Sequence, residues 1–158
     1  MKTLVIGAGN MGSAFVKQLA AAGHSVNVTA RQADKAAALA AQYPGVRAVA
    51  PAGAAADAEV VILATGYADA VAALQGVGGL DGKVVVDITN PLTADYMGLT
   101  LGHSTSAAEE IAQAVPGALL VKAFNTLFAP VLAGGADFGH GQTASVFVAS
   151  DSASAKAT

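Results

Sequence analysis

The sequence predicts an α/β protein whose sheet is doubly wound and mostly parallel, with helices on both faces. Short apolar runs alternate with helix-like stretches along the whole of the 158 residues, which is typical of a parallel sheet. Two of these runs, Val60–Ala64 and Val84–Val86, contain no polar residue, as expected for central strands that are covered on both sides. A glycine-rich turn, Gly7–Gly12, follows the first run and precedes a helix-like stretch. Together these observations favour a Rossmann-like fold.

The order of the elements follows from the same alternation. We expect strands near residues 2–7, 25–30, 46–49, 59–65, 83–88, 118–123 and 143–149, helices near 10–22, 32–42, 67–75 and 104–115, and short helical turns near 51–57 and 126–132. Ser104 or Ser106 is expected to cap the fourth helix. The elements form one predicted domain, 1–158. Asp151 and Ser152 have the pattern of a helix cap, so we expect a C-terminal continuation that this chain lacks.

Composition excludes several classes of protein. Apolar residues make up 54% of the chain, charged residues 12%, and the net charge is −3, so no basic surface is expected for nucleic acid. The absence of cysteine excludes disulfides, thiolate nucleophiles and iron–sulfur clusters. No apolar run reaches about 18 residues, so we expect no membrane partner and a cytoplasmic location. His24, His103 and His140 lie in separate segments, which argues against a metal site.

The glycine turn has the spacing of a dinucleotide-binding fingerprint and lies between a strand and a helix, as that fingerprint requires. Gly7 would turn the chain off the strand, Gly9 would let a pyrophosphate approach the backbone, and Gly12 would let the helix pack on the strand. Free N–H groups of the first helical turn would face the phosphates. The predicted cofactor-binding residues here are Gly7, Ala8, Gly9, Asn10, Met11 and Gly12. An ordinary strand-to-helix turn is the alternative interpretation.

Arg31 follows the second predicted strand and indicates which dinucleotide is bound. Sites that prefer NAD carry an acidic residue here for the ribose 2′-hydroxyl, whereas an arginine accommodates the 2′-phosphate of NADP. The first acidic residue after the strand is Asp34. Arg31, flanked by Ala30 and Gln32 and followed by Lys35, therefore predicts an NADP site. The alternative is that both cations are solvated surface charges.

The remaining candidate residues follow the later strands. Thr65, Gly66 and Tyr67 come after the fourth strand, Asn90 and Pro91 after the fifth, and Ala123 and Asn125 at the end of the sixth. Ligands of open parallel sheets bind outside the carboxyl ends of the strands, so we expect these residues to contact the cofactor. Turn formation and helix capping are the alternative roles of each asparagine. Phe124, Phe128 and Phe138 are expected in the core or an interface.

Four segments carry a resemblance to a known family: GAGNMGSAFVKQLAAAGH, ARQADKA, VVDITNPL and VKAFNTLFAPVL. They resemble the NADP-binding domain of the coenzyme F420-dependent NADP oxidoreductases and are similar to the cytosolic domain of the STEAP metalloreductases. The resemblance implies that residues 8–12 hold the pyrophosphate, that Arg31 and Lys35 hold the 2′-phosphate beside Ala30 and Gln32, that Thr65 and Tyr67 line the cofactor, and that Ala123 lies behind the nicotinamide. Ala30 departs from the family, where a hydroxyl residue is common.

The activity that this resemblance implies is hydride transfer between NADP(H) and a flavin-like small-molecule acceptor, coenzyme F420, FMN or FAD. Stacking two redox rings provides most of the catalysis, so we name no catalytic residue. Family members carry a C-terminal segment that helps to bind the deazaflavin and to build the dimer, and a homodimer is expected here. The alternatives are a non-catalytic, NADP-binding regulatory module, a metalloreductase-type ferric reductase, and an imine reductase, which would need a long helical C-terminal domain.

Overall fold

The computed structural model describes residues 1–137 and 141–158, and within them the chain forms seven strands and six helices. The strands are β1 (Lys2–Ile6), β2 (Ser25–Thr29), β3 (Val46–Ala48), β4 (Val60–Leu63), β5 (Val84–Asp87), β6 (Leu119–Ala123) and β7 (Val148–Ala149). The helices are α1 (Asn10–Ala21), α2 (Ala33–Ala40), α3 (Tyr67–Val77), α4 (Ala107–Ala114), α5 (Ala129–Gly134) and α6 (Ala153–Lys156). Phe138 and His140, whose roles were predicted from the sequence, lie outside the described residues.

All seven strands form one sheet in the order β3-β2-β1-β4-β5-β6-β7. Strands β1 to β6 pair in parallel, and β7 pairs with β6 in the antiparallel direction. The chain first extends the sheet from β1 through β2 to β3 and then returns to place β4 on the other side of β1. The predicted Rossmann-like, mostly parallel sheet is therefore confirmed, and its strand order reverses between β1 and β4, where such sheets bind ligands.

Two apolar clusters cover the two faces of the sheet. On one face, Phe15 and Val16 of α1 and Leu39 of α2 pack with Val5 and Val28 of the strands. On the other face, helices α3 and α4 contribute Leu74, Val77 and Ile111, which pack with Leu4 and Leu63. All four residues of β4 are buried, as expected for a central strand between two helical layers. The carboxyl ends of β1 and β4 are thus held in place by apolar packing on both faces of the sheet.

The seventh strand is shorter than the predicted span of 143–149. Only Val148 and Ala149 pair with β6, and a separate bridge joins Asp137 to Thr143. Phe147 is 72% exposed and Val148 is 47% exposed. Within the described residues these side chains are exposed at the edge of the sheet, so this strand has no buried face. The predicted strand is confirmed at 148–149, and its predicted length was too great.

Residues 51–57, where a short helical turn was predicted, form successive hydrogen-bonded turns but no helix. Backbone N–H groups of Ala54 and Ala56 donate to the carbonyl oxygens of Pro51 and Gly53, each three residues earlier, and each bond closes a four-residue turn. Gly53 has a φ of +76°, and this left-handed conformation interrupts any helix.

Phe128, expected in the core or an interface, is 79% exposed in the chain, so it is not a core residue.

Two predicted helix caps are confirmed. Ser106 caps α4 in a reciprocal capping box with Glu109, and its extended backbone explains why the helix begins at residue 107 rather than 104. Ser152 caps α6, and its hydroxyl accepts from the Ala155 N–H at 3.2 Å.

Candidate functional site

The glycine turn between β1 and α1 has the geometry that its spacing predicts. Gly7 has a φ of +118°, and a Cβ there would lie 2.9 Å from the Ala64 carbonyl carbon. A Cβ at Gly12 would lie 2.8 Å from the carbonyl carbon of Gly7 and would collide with its oxygen. A Cβ at Gly9, in contrast, would meet no described atom within 4 Å. Gly7 and Gly12 are therefore required by packing, whereas Gly9 leaves open space above the turn.

Helix α1 begins at this turn with its amino-terminal N–H groups available. The first intrahelical bond runs from the Ser13 N–H to the Gly9 carbonyl oxygen at 2.8 Å, so the N–H groups of Asn10, Met11 and Gly12 precede it. Among the described residues, no side chain caps this helix and no acidic residue lies in its first turn. The partial positive charge of the helix end is thus free to attract an anion.

A cavity of about 440 Å³ lies at the switch point between β1 and β4. Small-molecule sites have volumes of this order. Nine of the predicted site residues line it: Gly7, Ala8, Gly9, Ala30, Arg31, Gln32, Lys35, Thr65 and Gly66. The structure therefore brings the glycine turn, the end of β2 and the end of β4 to one cavity. Asn10, Met11, Gly12, Tyr67, Asn90, Pro91, Ala123 and Asn125 are not among its lining residues.

The charged groups of the cavity come from three different elements. Arg31 follows β2, and Lys35 lies on α2; both are exposed. Asp69, in the first turn of α3, faces Arg31 with 3.4 Å between the carboxylate Oδ2 and the guanidinium Nη1. This ion pair is exposed, with 85% of the Arg31 side chain and 61% of the Asp69 side chain accessible, so solvent weakens it. The cavity therefore carries two cations and one carboxylate.

Helix α3 contributes a wall of the cavity that the sequence did not predict. Asp69, Ala72, Ala73, Gly76 and Val77 all line the cavity. Their spacing from Asp69 is three, four, seven and eight residues, which places them on one helical face. The stripe of small residues keeps this wall away from the opposite side and leaves room for a ligand. That spacing is visible in the sequence, but which face of α3 meets the cavity is set by tertiary packing.

Asn90 and Asn125, which follow β5 and β6, form a second cluster. The Asn90 side-chain amide donates to the Asn125 backbone carbonyl at 2.9 Å, and the Asn125 amide donates to the Asn90 Oδ1 at 3.3 Å. Pro91 is half-buried beside them, and Ala123 is buried at the end of β6. Phe124 has a φ of +60° and its ring meets Phe15 edge-on, with centroids 5.0 Å apart. The two loops are thus joined across the strand ends by one side chain–backbone and one side chain–side chain hydrogen bond.

A buried ion pair lies directly beneath this asparagine cluster. Asp87 and Lys122 are register partners on β5 and β6, and the lysine Nζ donates to the carboxylate Oδ2 at 2.9 Å. Asp87 is fully buried, whereas 21% of the Lys122 side chain is accessible. The other carboxylate oxygen accepts from the Thr89 N–H at 2.8 Å, and Lys122 also donates to the Thr89 carbonyl oxygen. The pair therefore holds both backbone groups of the residue that precedes Asn90.

Tyr67 contacts helix α4. Its hydroxyl donates to the Glu110 carboxylate at 2.5 Å. This hydrogen bond is the main cause that raises the pKa of Tyr67 to about 12, with desolvation and the charges of Glu110 and Asp87 adding to it. Because the pKa lies far above neutrality, the hydroxyl stays protonated and serves as a donor. Within the described residues, Tyr67 thus links α3 to α4.

Three further properties of the described residues bear on the type of site. No group of three or more histidine, cysteine or acidic residues within 1–137 and 141–158 could hold a metal ion. In the same ranges, no helix is both long and apolar enough to cross a membrane. The Thr29 hydroxyl is buried and has no hydrogen-bond partner among the described residues, and Thr29 is one of the residues that line the cavity.

Comparisons with known proteins agree with this geometry. Residues 2–91 match the family model described as NADP oxidoreductase, coenzyme F420-dependent. A protein from Arthrobacter sp. FB24, provisionally named an F420-dependent NADP-reductase, is 35% identical with a TM-score of 0.86 over 99% of this chain and 77% of its own. A hypothetical protein from Sinorhizobium meliloti is 33% identical with a TM-score of 0.85 over 98% and 76%.

A more distant structure is an imine reductase from Bacillus cereus. It is 28% identical with a TM-score of 0.63, and the match covers 82% of this chain and 42% of that enzyme. A search of curated proteins gave no match. The family and the structural neighbours support NADP(H) binding and an oxidoreductase. The family model covers more than half of the residues, and the chain therefore belongs to the coenzyme F420-dependent NADP oxidoreductase family.

Proposed function

We propose that this protein binds NADP(H) in the cavity at the switch point and transfers a hydride between it and a flavin-like acceptor, coenzyme F420, FMN or FAD. One observation carries the proposal. The glycine turn, an uncapped helix end and two cations converge on a single cavity of about 440 Å³. Each part matches one chemical group of the cofactor, and family membership supplies the reaction class.

The residues present fit the adenosine half of NADP(H). The open space at Gly9 would accept the pyrophosphate against the N–H groups that begin α1. The Arg31 guanidinium would pair with the 2′-phosphate through two N–H donors, and Lys35 would add a second cation. Ala30 and Gln32 flank the arginine and line the same cavity, while Thr65 and Gly66 form the wall at the end of β4.

The nicotinamide half would lie toward the ends of β5 and β6. When bound, NADPH supplies the hydride. Asn90 and Asn125 would present amides to the ribose and ring, Pro91 would stiffen the loop, and Ala123 would allow close approach at the end of β6. The loops after β5 and β6 also expose apolar side chains, namely Leu92, Tyr96, Met97 and Phe128. Such a surface would suit a flat, largely apolar ring system and would exclude water from it.

An acceptor assay tests the reaction. The full chain is mixed with NADPH, and the nicotinamide absorbance is followed with coenzyme F420, FMN, FAD, a ferric chelate or a cyclic imine as the sole acceptor. We expect oxidation with a flavin-like acceptor and none with the imine. Oxidation of NADPH with the ferric chelate alone would overturn the proposal and indicate a metalloreductase. Binding of NADPH without its oxidation by any acceptor would overturn the proposal and indicate a non-catalytic regulatory module.

Replacing Arg31 tests the cofactor preference. Arg31→Ala should weaken NADPH binding by about 1.5–3 kcal/mol, roughly 10- to 150-fold, because a charge-assisted contact to the 2′-phosphate is lost. NADH, which lacks this phosphate, should bind about as before. Dissociation constants from nicotinamide fluorescence titrations measure both effects. Arg47→Ala is the control, since Arg47 is an exposed arginine of β3 that lines a separate polar pocket with Lys2 and Ser25. Equal losses for NADPH and NADH would show that Arg31 has a structural role.

A further inference from the structure

Asp69 places a negative charge where the proposed function needs a site for a phosphate. Its carboxylate lies 3.4 Å from the Arg31 guanidinium. The two residues come from different elements, since Arg31 follows β2 and Asp69 lies in the first turn of α3, and both line the cavity. The ion pair therefore crosses the part of the cavity in which the 2′-phosphate would lie.

We infer that Asp69 is a specificity-determining residue, which holds Arg31 across the cavity in the free protein and competes with the 2′-phosphate for its guanidinium. This inference rests on the proposed function, in which Arg31 binds that phosphate. The consequence is a smaller preference for NADPH over NADH than Arg31 and Lys35 alone would give. NADH binds without displacing the ion pair, because it brings no phosphate to Arg31.

The exposure of the ion pair determines how strongly Asp69 can compete with the 2′-phosphate for Arg31. An ion pair as exposed as this one changes an equilibrium constant by about fivefold at most, so a phosphate can displace Asp69 from Arg31. After displacement, the carboxylate still lies close to a phosphate that carries up to two negative charges, and this repulsion adds to the penalty. Among the described residues that line the cavity, the remaining charged group is Lys35, which attracts the phosphate with or without Asp69.

Asp69→Asn removes the charge and keeps the shape of the side chain. We expect the variant to bind NADPH about three- to tenfold more tightly and to bind NADH within about twofold of the unmodified protein. Titration with 2′,5′-ADP and 5′-AMP isolates the phosphate, and only 2′,5′-ADP should bind more tightly. Asp57→Asn is the charge-matched control, because Asp57 lines the polar pocket at the amino-terminal ends of the strands.

The outcomes separate the inference from the proposal on which it rests. If Arg31→Ala weakens NADPH but Asp69→Asn leaves it unchanged, Asp69 does not compete and the inference alone is overturned. An equal gain for NADPH and NADH would also overturn it, because the effect would not depend on the 2′-phosphate. If Arg31→Ala has no effect on NADPH, the proposed 2′-phosphate site itself fails.

Discussion

Replacing Lys122 with methionine should destabilise the protein by about 3–5 kcal/mol, because the change leaves the carboxylate of Asp87 without its partner. Asp87 is fully buried at the end of β5, and the Lys122 ammonium is 2.9 Å away on the neighbouring strand. Methionine has a volume similar to that of lysine, so the packing is largely kept. The loss of stability therefore measures the effect of removing the positive charge. Denaturant unfolding of the variant and the unmodified protein measures the difference.

Two companion variants define the origin of this loss. Lys17→Met makes the same side-chain change at an exposed position of α1 and should shift stability by about 0.5 kcal/mol or less. Combining Lys122→Met with Asp87→Asn removes both charges, and the double variant should be more stable than Lys122→Met alone. If the single variant is as stable as the unmodified protein, the ion pair of Asp87 and Lys122 contributes nothing to the free energy of folding. The pair would then not stabilise the backbone that precedes Asn90.

The ion pair also connects stability to the proposed site. Asp87 and Lys122 together bind the N–H and the carbonyl oxygen of Thr89, and Asn90 follows directly. Asn90 in turn is hydrogen-bonded to Asn125 on the next loop. A buried charge pair is a costly way to stabilise a core. Here it fixes the backbone at the carboxyl ends of two central strands, the part of the sheet to which we assign the nicotinamide half of the cofactor.

The sequence predicted the parts of the site that depend on local conformation. The roles of Gly7 and Gly12 follow from chain turning and close packing within a dozen residues, and the structure has both features. Arg31 and Lys35 were expected at one cavity because a parallel sheet brings its strand ends together. These predictions needed only the element order, which strong apolar patterns define.

Contacts between distant elements could not be predicted in the same way. Asp69 meets Arg31 because α3 packs beside β1, and no pattern in either segment specifies that distance. Asp87 at the end of an apolar strand was a visible signal, but its pairing with Lys122 depends on the register of β5 against β6. Strand β7 was predicted too long because the extent of an edge strand depends on its pairing, and only Val148 and Ala149 pair with β6.

Gly12→Ala should disrupt the fold, whereas Gly9→Ala should leave it intact. A methyl group at Gly12 would collide with the backbone carbonyl of Gly7, and neither segment can move without shifting β1 or α1. Overpacking against backbone costs about 3 kcal/mol or more, which exceeds the helix-propensity gain of about 1 kcal/mol from alanine. At Gly9 the added methyl group meets no described atom within 4 Å, and the φ of −84° suits any residue.

The two variants therefore separate folding from cofactor binding. Gly9→Ala should unfold at the same denaturant concentration as the unmodified protein, yet bind NADPH and NADH about 10-fold or more weakly, because its methyl group occupies the space proposed for the pyrophosphate. The loss should be equal for the two cofactors, unlike that of Arg31→Ala, since both carry the same pyrophosphate. Unchanged affinity in a folded Gly9→Ala protein would place the pyrophosphate elsewhere, and the uncapped end of α1 would then have no role in binding.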